Sequence, residues 1–421
     1  MTTTLSSVQS VDELVRGRVV AGGRLYPDGV VAISGTSVVS VGHAADWAGQ
    51  RQLPVLSTNT VIPGLVDVHC HGGGGYGFPE ADRAGCEIAA EHHRRMGTTT
   101  MLASLVSAPA PTLLAQLEVL VPMVQEGKLA GIHLEGPFLS VLRCGAQDPA
   151  NIVDGDPHLL ETLLEAGHGT IRSMTVAPET PRFADLHRIL RAYDAVPSIG
   201  HTDASGPQAT RGIVDAAHGP LSATHLFNGM APLHHRAPGP VAACLAAAAR
   251  GQMVVELIAD GVHLADETVS TVFDLIGAQR IALISDAMAA AGMPDGRYPL
   301  GPLEVDVADG IARLAADGDD PDRGPTAIAG STSRLIDVLA HSVAGGVDLI
   351  DAVTAATHTP ATLIGRGEDL GDLAPGYQAD LVVLDDNLQP NAVMSRGQWV
   401  YRSATAADGN STGTDHHHEE N

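Results

Sequence analysis

A chain of 421 residues is longer than a lone (β/α) barrel of about 250 residues, so a second unit has to be accommodated beside any such barrel. Hydrophobic residues make up 44% and aromatics only 3%, which points to a large core of Ala, Val, Leu and Ile, the branched residues that fill a barrel in layers. A net charge of −25 argues against nucleic acid or an anionic membrane as partner, and an anionic substrate would need a local cationic pocket.

Met1–Ser10 is polar and lacks the basic and apolar regions of a signal peptide, so none is expected. From Arg16 to Thr60, short Val/Ile-rich runs broken by Gly, Pro-Asp-Gly and Ser-Gly read as a β-meander. A matching β-rich stretch returns at Leu370–Val400. Residues 11–60 and 370–404 are therefore expected to build one small β-sandwich domain from both termini.

Between them, residues 61–369 alternate strand and helix signals, the pattern of a (β/α)8 TIM-type barrel in an α/β protein. Eight strands are predicted: Val61–Asp67, Thr98–Ser104, Gly131–Glu135, Arg172–Ala177, Val196–His201, Ser222–His225, Val254–Ile258 and Ile281–Asp286. Helical composition marks Ala81–Met96, Ala110–Glu126, Ser331–Val343 and Asp351–Ile364, while the polar Ala315–Pro325 reads as a mobile surface loop. Residues 1–10 and 405–421 read as disordered tails, and His416–His418 as part of a tail rather than of a site. No run of eighteen apolar residues predicts a membrane span. Four cysteines without a C-x-x-C pair fit a reduced, cytoplasmic setting.

The chemistry gathers at strand ends. In "VIPGLVDVHCHGGGG" (61–75), His69 and His71 stand two residues apart on a strand and so share a face. The glycines then release the chain at the strand's C-terminal mouth, where a barrel keeps its active site. Glu135, His201, His225 and Asp286 close four further strands, giving four histidines and two carboxylates at one rim. Such N/O donors suit zinc or another borderline divalent ion. One ion would take about three of them; two ions could be bridged by Glu135. His133 lies deeper on the strand of Glu135 and reads as a core polar residue. His92, His93, His234, His235 and His358 read as solvated or capping, and Cys70 as packed outside the barrel.

These motifs resemble the N-acetylglucosamine-6-phosphate deacetylase family of the amidohydrolase superfamily. "PGLVDVHCHGGGG" (63–75), "GIHLEGPF" (131–138), "GHTDAS" (200–205), "THLFNGM" (224–230), "RAPG" (236–239), "ADGVH" (259–263) and "SDAMAAAGMPDGRY" (285–298) run in family order. "HLEGP", "THLFN" and "ADGVH" are particular to this branch. The resemblance implies Glu135, His201 and His225 as main metal ligands, His69 and His71 as ligands of a second metal, and Asp286 as the catalytic aspartate. It further implies that Asn228 and Gly229 contact the sugar phosphate, that His263 binds near the reacting carbonyl, and that Arg236 binds the phosphate across a homodimer interface.

The chain also departs from the family. Arg143–Pro149 replaces a "KKGTHNP"-like stretch, so that Gln147 stands where a substrate-contacting histidine often sits, and Cys144 falls on a flap over the site. The implied substrate is N-acetylglucosamine 6-phosphate, with N-acetylgalactosamine 6-phosphate as alternative. A cyclic-amide hydrolase is a second alternative, but it would carry a lysine on the fourth strand, and Arg172–Ala177 has none.

Overall fold

The computed structural model describes residues 11–47, 52–216, 219–315 and 326–403. Both expected tails and nearly all of the 315–325 loop lie outside the described residues.

Strands β1 (Glu13–Ala21), β2 (Arg24–Ser34) and β3 (Ser37–His43) form the expected meander, and β4 (Thr60–Pro63) pairs parallel with β1. The run read as one strand over Val61–Asp67 is in fact two. Gly64 separates β4 from β5 (Leu65–Cys70), and a Cβ there would come within 2.8 Å of Asp380 Cβ. The chain thus steps at Gly64 from the small sheet into the barrel.

A short hairpin, β6 (Gly72–Gly73) and β7 (Tyr76–Gly77), leads to the first outer helix, Arg83–Arg95. The barrel continues with β8 (Thr98–Val106), β9 (Gly131–Glu135), β10 (Ile171–Val176), β11 (Val196–Ile199), β12 (Ser222–Ala223), β13 (Val254–Leu257) and β14 (Ile281–Leu283). With β5 they make an eight-stranded parallel sheet in sequence order. Its two edges meet through backbone bonds from Asp286 N to His69 O (3.0 Å) and from His71 N to Ala287 O (2.7 Å). The strands that hold site residues are thereby joined directly to one another.

After β14 comes an insertion that the sequence reading did not find. Strands β15 (Gly296–Leu300), β16 (Leu303–Ala308) and β17 (Ile311–Leu314) form a separate antiparallel sheet, with Leu300 at the cavity described below. The helical signal over Asp351–Ile364 resolves into two helices, Leu349–Ala356 and His358–Leu363. Finally β18 (Leu381–Leu384), β19 (Pro390–Ser395) and β20 (Gln398–Arg402) join β4, so both ends of the chain share one seven-stranded sheet.

Apolar residues fill the layer between strands and outer helices in two large clusters. Cys70 is buried in one of them, away from its histidine neighbours, as expected. His93 departs from expectation. It is fully buried, with Nε2 2.8 Å from Gly72 O, and so ties the first outer helix to the glycine turn. Among the described residues no helix is long and apolar enough to cross a membrane.

Candidate active site

His69 lies near the end of β5, His71 just beyond it, and Glu135 ends β9; His201 and His225 follow β11 and β12 by two residues, and Asp286 follows β14 by three. All six are buried. His201, His225 and Asp286 have φ of +46°, +28° and +47°. Non-glycine residues rarely adopt this left-handed region, and such strain clusters at functional sites. Here the turn at each strand exit swings the side chain inward over the mouth.

The six form two adjoining groups, His69–His71–Asp286 and Glu135–His201–His225, in each of which one donor atom per residue lies within 4.8 Å of the others. Glu135 Oε1 is 2.9 Å from His201 Nε2 and 2.8 Å from His225 Nε2, while its Oε2 is 3.3 Å from His71 Nε2. Asp286 Oδ1 is 3.4 Å from His69 Nε2 and 3.3 Å from His71 Nε2. Glu135 therefore stands between the groups.

The far side of three imidazoles shows what the near side is for. His71 Nδ1 faces Ser104 O (3.2 Å), His201 Nδ1 faces Arg143 O (2.8 Å) and His69 Nδ1 faces Glu256 Oε2 (3.2 Å). Oxygens of this kind accept, so each Nδ1 carries the hydrogen and each Nε2 presents its lone pair to the mouth. Yet the Nε2 atoms of His69 and His71 are 3.1 Å apart, as are those of His201 and His225. Lone pairs held that close repel unless a cation lies among them.

Without an ion, the same imidazoles can instead take up protons and turn them toward the two carboxylates. Burial opposes the ionisation of Glu135, but the charges of His201 and His69 outweigh it and hold the carboxyl well below the usual range. Burial likewise opposes ionisation of Asp286, but His69 and His71 bring it down to about 2. Burial disfavours the charged form of His71 too, yet hydrogen bonds to Asp286 and Glu135 raise it to about 9. Two ionised carboxylates and four convergent imidazoles make a donor set that fits a divalent metal.

The groups open into a cavity of about 280 Å³. Asn228, Gly229, His263 and Gln147, all singled out from sequence, line it, as do Gly145 and Ala146. Gly229 has φ +59°, and a Cβ on it would lie 2.9 Å from His201 Nδ1. His263 Nδ1 is 2.9 Å from Asp260 Oδ2, which turns Nε2 toward the cavity. Burial pulls His263 down, but the hydrogen bond and charge of Asp260 prevail and raise it.

Gln147 is occupied at both ends of its amide. Nε2 donates to Glu135 Oε2 (2.6 Å) and Oε1 accepts from Ser107 N (2.7 Å), so it braces a site carboxylate. Cys144 is half-buried in the adjoining loop and does not itself line the cavity. Arg236 is exposed, with its guanidinium 2.7 Å from His235 Nε2, and lies outside the cavity of its own chain. His133 is a core polar residue, as expected, bonded to Ser104 and Thr175. The residue that sequence reasoning missed is Glu256, a carboxylate alone in the apolar run "MVVELIA". Its signal was the cost of burying such a group without a purpose.

A parallel barrel with histidines and carboxylates converging at its C-terminal mouth defines the class: the chain belongs to the amidohydrolase family, whose model matches residues 60–400. Within that family it is 33% identical over 343 residues to N-acetylgalactosamine-6-phosphate deacetylase of Escherichia coli O157:H7, covering 80% of this chain and 87% of that one. To N-acetylglucosamine-6-phosphate deacetylase of Bacillus subtilis (strain 168) it is 30% identical over 365 residues, covering 85% and 88%. Among solved structures, a Mycobacterium smegmatis N-acetyl-D-glucosamine-6-phosphate deacetylase mutant in complex with N-acetyl-D-glucosamine-6-phosphate matches with a TM-score of 0.85 and 39% identity, over 92% of this chain and 99% of that one.

Proposed function

We propose that this protein is a metal-dependent amide hydrolase that converts N-acetylglucosamine 6-phosphate to glucosamine 6-phosphate and acetate. The observation that carries the reading is the pair of adjoining donor groups, with Glu135 facing both, at the floor of a cavity of about 280 Å³. The names of its relatives supply the substrate. Glu135, His201 and His225 would hold one ion and His69, His71 and Asp286 a second, with Glu135 between them. Zinc suits this mixture of nitrogen and oxygen donors.

A divalent ion, when bound, supplies a nucleophile from water near neutral pH and polarises the acetyl carbonyl. The chain's own groups do the rest. Asp286, a carboxylate and so ionised at neutral pH, accepts the proton that water gives up. It returns that proton to the departing nitrogen, so the amine leaves neutral while the acetyl carbon keeps the water oxygen. His263, which Asp260 orients and helps to hold in its charged form, donates from Nε2 toward the carbonyl oxygen as charge gathers there. Asn228 and Gly229 receive the sugar phosphate, and Arg236 from the other subunit of a homodimer grips it. Binding energy at the phosphate then orients the acetamide over Asp286. Four free cysteines suit the reducing cytoplasm in which we place the reaction.

A second substrate has an observation in its favour, since the relative at 33% identity is named for the galacto epimer. The test is acetate release from each 6-phosphate, with a chelated sample alongside. Release that chelation abolishes and zinc restores supports the proposal, and the faster epimer names the substrate. Metal-loaded protein that releases no acetate from either would refute it.

A further inference from the structure

The barrel interior beneath the site is polar where branched apolar layers are the rule. Six strands, and Thr224 just beyond a seventh, contribute to one hydrogen-bonded chain that runs round the barrel. Cys70 N lies 3.0 Å from Ser104 Oγ, and Ser104 Oγ lies 3.0 Å from His133 Nδ1. His133 Nε2 is 2.9 Å from Thr175 Oγ1, which is 2.8 Å from Thr224 Oγ1. Thr224 Oγ1 is 2.6 Å from Ser198 Oγ, and Ser198 Oγ is 3.5 Å from Glu256 Oε1. Glu256 Oε2 closes the circle on His69 Nδ1 at 3.2 Å.

The ends set its direction. A peptide N–H only donates and a carboxylate only accepts. If every hydroxyl passes its hydrogen onward from Cys70 toward Glu256, each hydrogen finds an acceptor. The reverse order strands the Ser104 hydrogen and takes one donor from Glu256. Glu256 therefore receives Ser198 on one oxygen, and on the other receives His69 Nδ1–H and the more distant backbone N–H of His225 (3.4 Å). It is buried and does not line the cavity.

We propose that Glu256 is a positioning residue for His69, held by this relay so that His69 keeps its hydrogen on Nδ1 and its lone pair on the His69–His71–Asp286 half of the site. Cation affinity of that half then depends on a side chain that never meets substrate. A carboxylate behind a liganding imidazole orients the ring and raises its basicity, and its loss typically costs about 10–100-fold in metal affinity. The inference rests on the metal-binding reading of the mouth.

The experiment titrates chelator-stripped protein with zinc against a chromophoric competitor, with melting of the stripped protein recorded for each variant. Wild type should take up two ions. Glu256→Gln should weaken one of them about 10–100-fold and leave the other within about threefold, and Glu256→Asp, which keeps the carboxylate, should recover part of the loss. Thr175→Val cuts the relay four links from His69 but leaves the Thr224–Ser198–Glu256 end that meets His69 in place; it should lower melting without changing zinc affinity. Unchanged binding in Glu256→Gln overturns the inference alone. So does equal weakening of both ions, or a parallel loss with melting, since either marks a merely structural role. A wild type that binds one ion has no second half for Glu256 to serve and also overturns it. Wild type that binds no zinc would bring down the metal reading as well.

Discussion

Gly229 is where backbone conformation and site geometry can be separated in a single substitution. Its φ of +59° makes any side chain there costly, by about 1–2 kcal/mol for an L residue in the left-handed region. A Cβ would also sit 2.9 Å from His201 Nδ1, the atom that donates to Arg143 O, and 3.4 Å from Arg143 O itself. Neither partner can yield freely: His201 O accepts from Ser140 N (2.9 Å) and its Nε2 meets Glu135 at 2.9 Å, while Arg143 N donates to Ser140 O (3.0 Å). The ring must therefore move by some tenths of an ångström. Gly229→Ala should lower melting by only about 1–3 °C in a chain of this size. Misplacement of a positioned group is far more expensive in rate, and acetate release should fall on the order of 100-fold. Gly22→Ala is the control, since Gly22 has φ +56° with nothing within 4 Å of its Cβ. It should show a similar melting loss and full activity. Activity within about threefold of wild type in Gly229→Ala would refute the reasoning, because the strain at φ alone is not worth a hundredfold in rate.

Asp286→Asn removes the proton carrier, and turnover should fall by about 10²–10⁴-fold; near-normal turnover with metal bound would dismiss the role. In chelator-stripped protein, His71 is held at about 9 against its ordinary 6.5, so its stabilising proton is fully present below 6.5 and lost as pH rises through about 9. That gap corresponds to about 3 kcal/mol, so calorimetric melting of the stripped protein should decline across this window, and a flat profile would count against it. If Arg236 serves the neighbouring subunit, randomly mixed Arg236→Ala and Asp286→Asn subunits should regain about a quarter of wild-type activity, because half the dimers then hold one complete site; no recovery on mixing would mean that Arg236 serves its own chain or neither.

What could be read in advance follows from how locally each feature is encoded. The strand ends were legible because His69, His71, Glu135, His201, His225 and Asp286 each interrupt an apolar run beside a chain-breaking turn, and burial of such groups demands a reason. The hinge at Gly64 was not, because β4 and β5 are both apolar and periodicity carries no mark of a change of sheet; the close approaches of Thr99 and Asp380 that require the glycine come from β8 and from the far end of the chain. The sheet from Gly296 to Leu314 was hidden for the opposite reason, since its Gly, Pro and Asp content reads as turns while its pairing is with itself and its packing against Met288 and Val106 is remote. His93 looked like any polar helix residue until the Gly72 carbonyl arrived opposite it.

Glu256 marks the boundary between these cases. Its type was visible as a carboxylate within an apolar strand, but its partners come from β5, β11 and the turn after β12, and no spacing in one chain joins them. Side chains that touch a ligand stand at strand exits and leave motifs. Glu256, which holds one of them, stands within a strand and becomes apparent only when hydrogen-bond donors and acceptors are followed from one fixed end to the other.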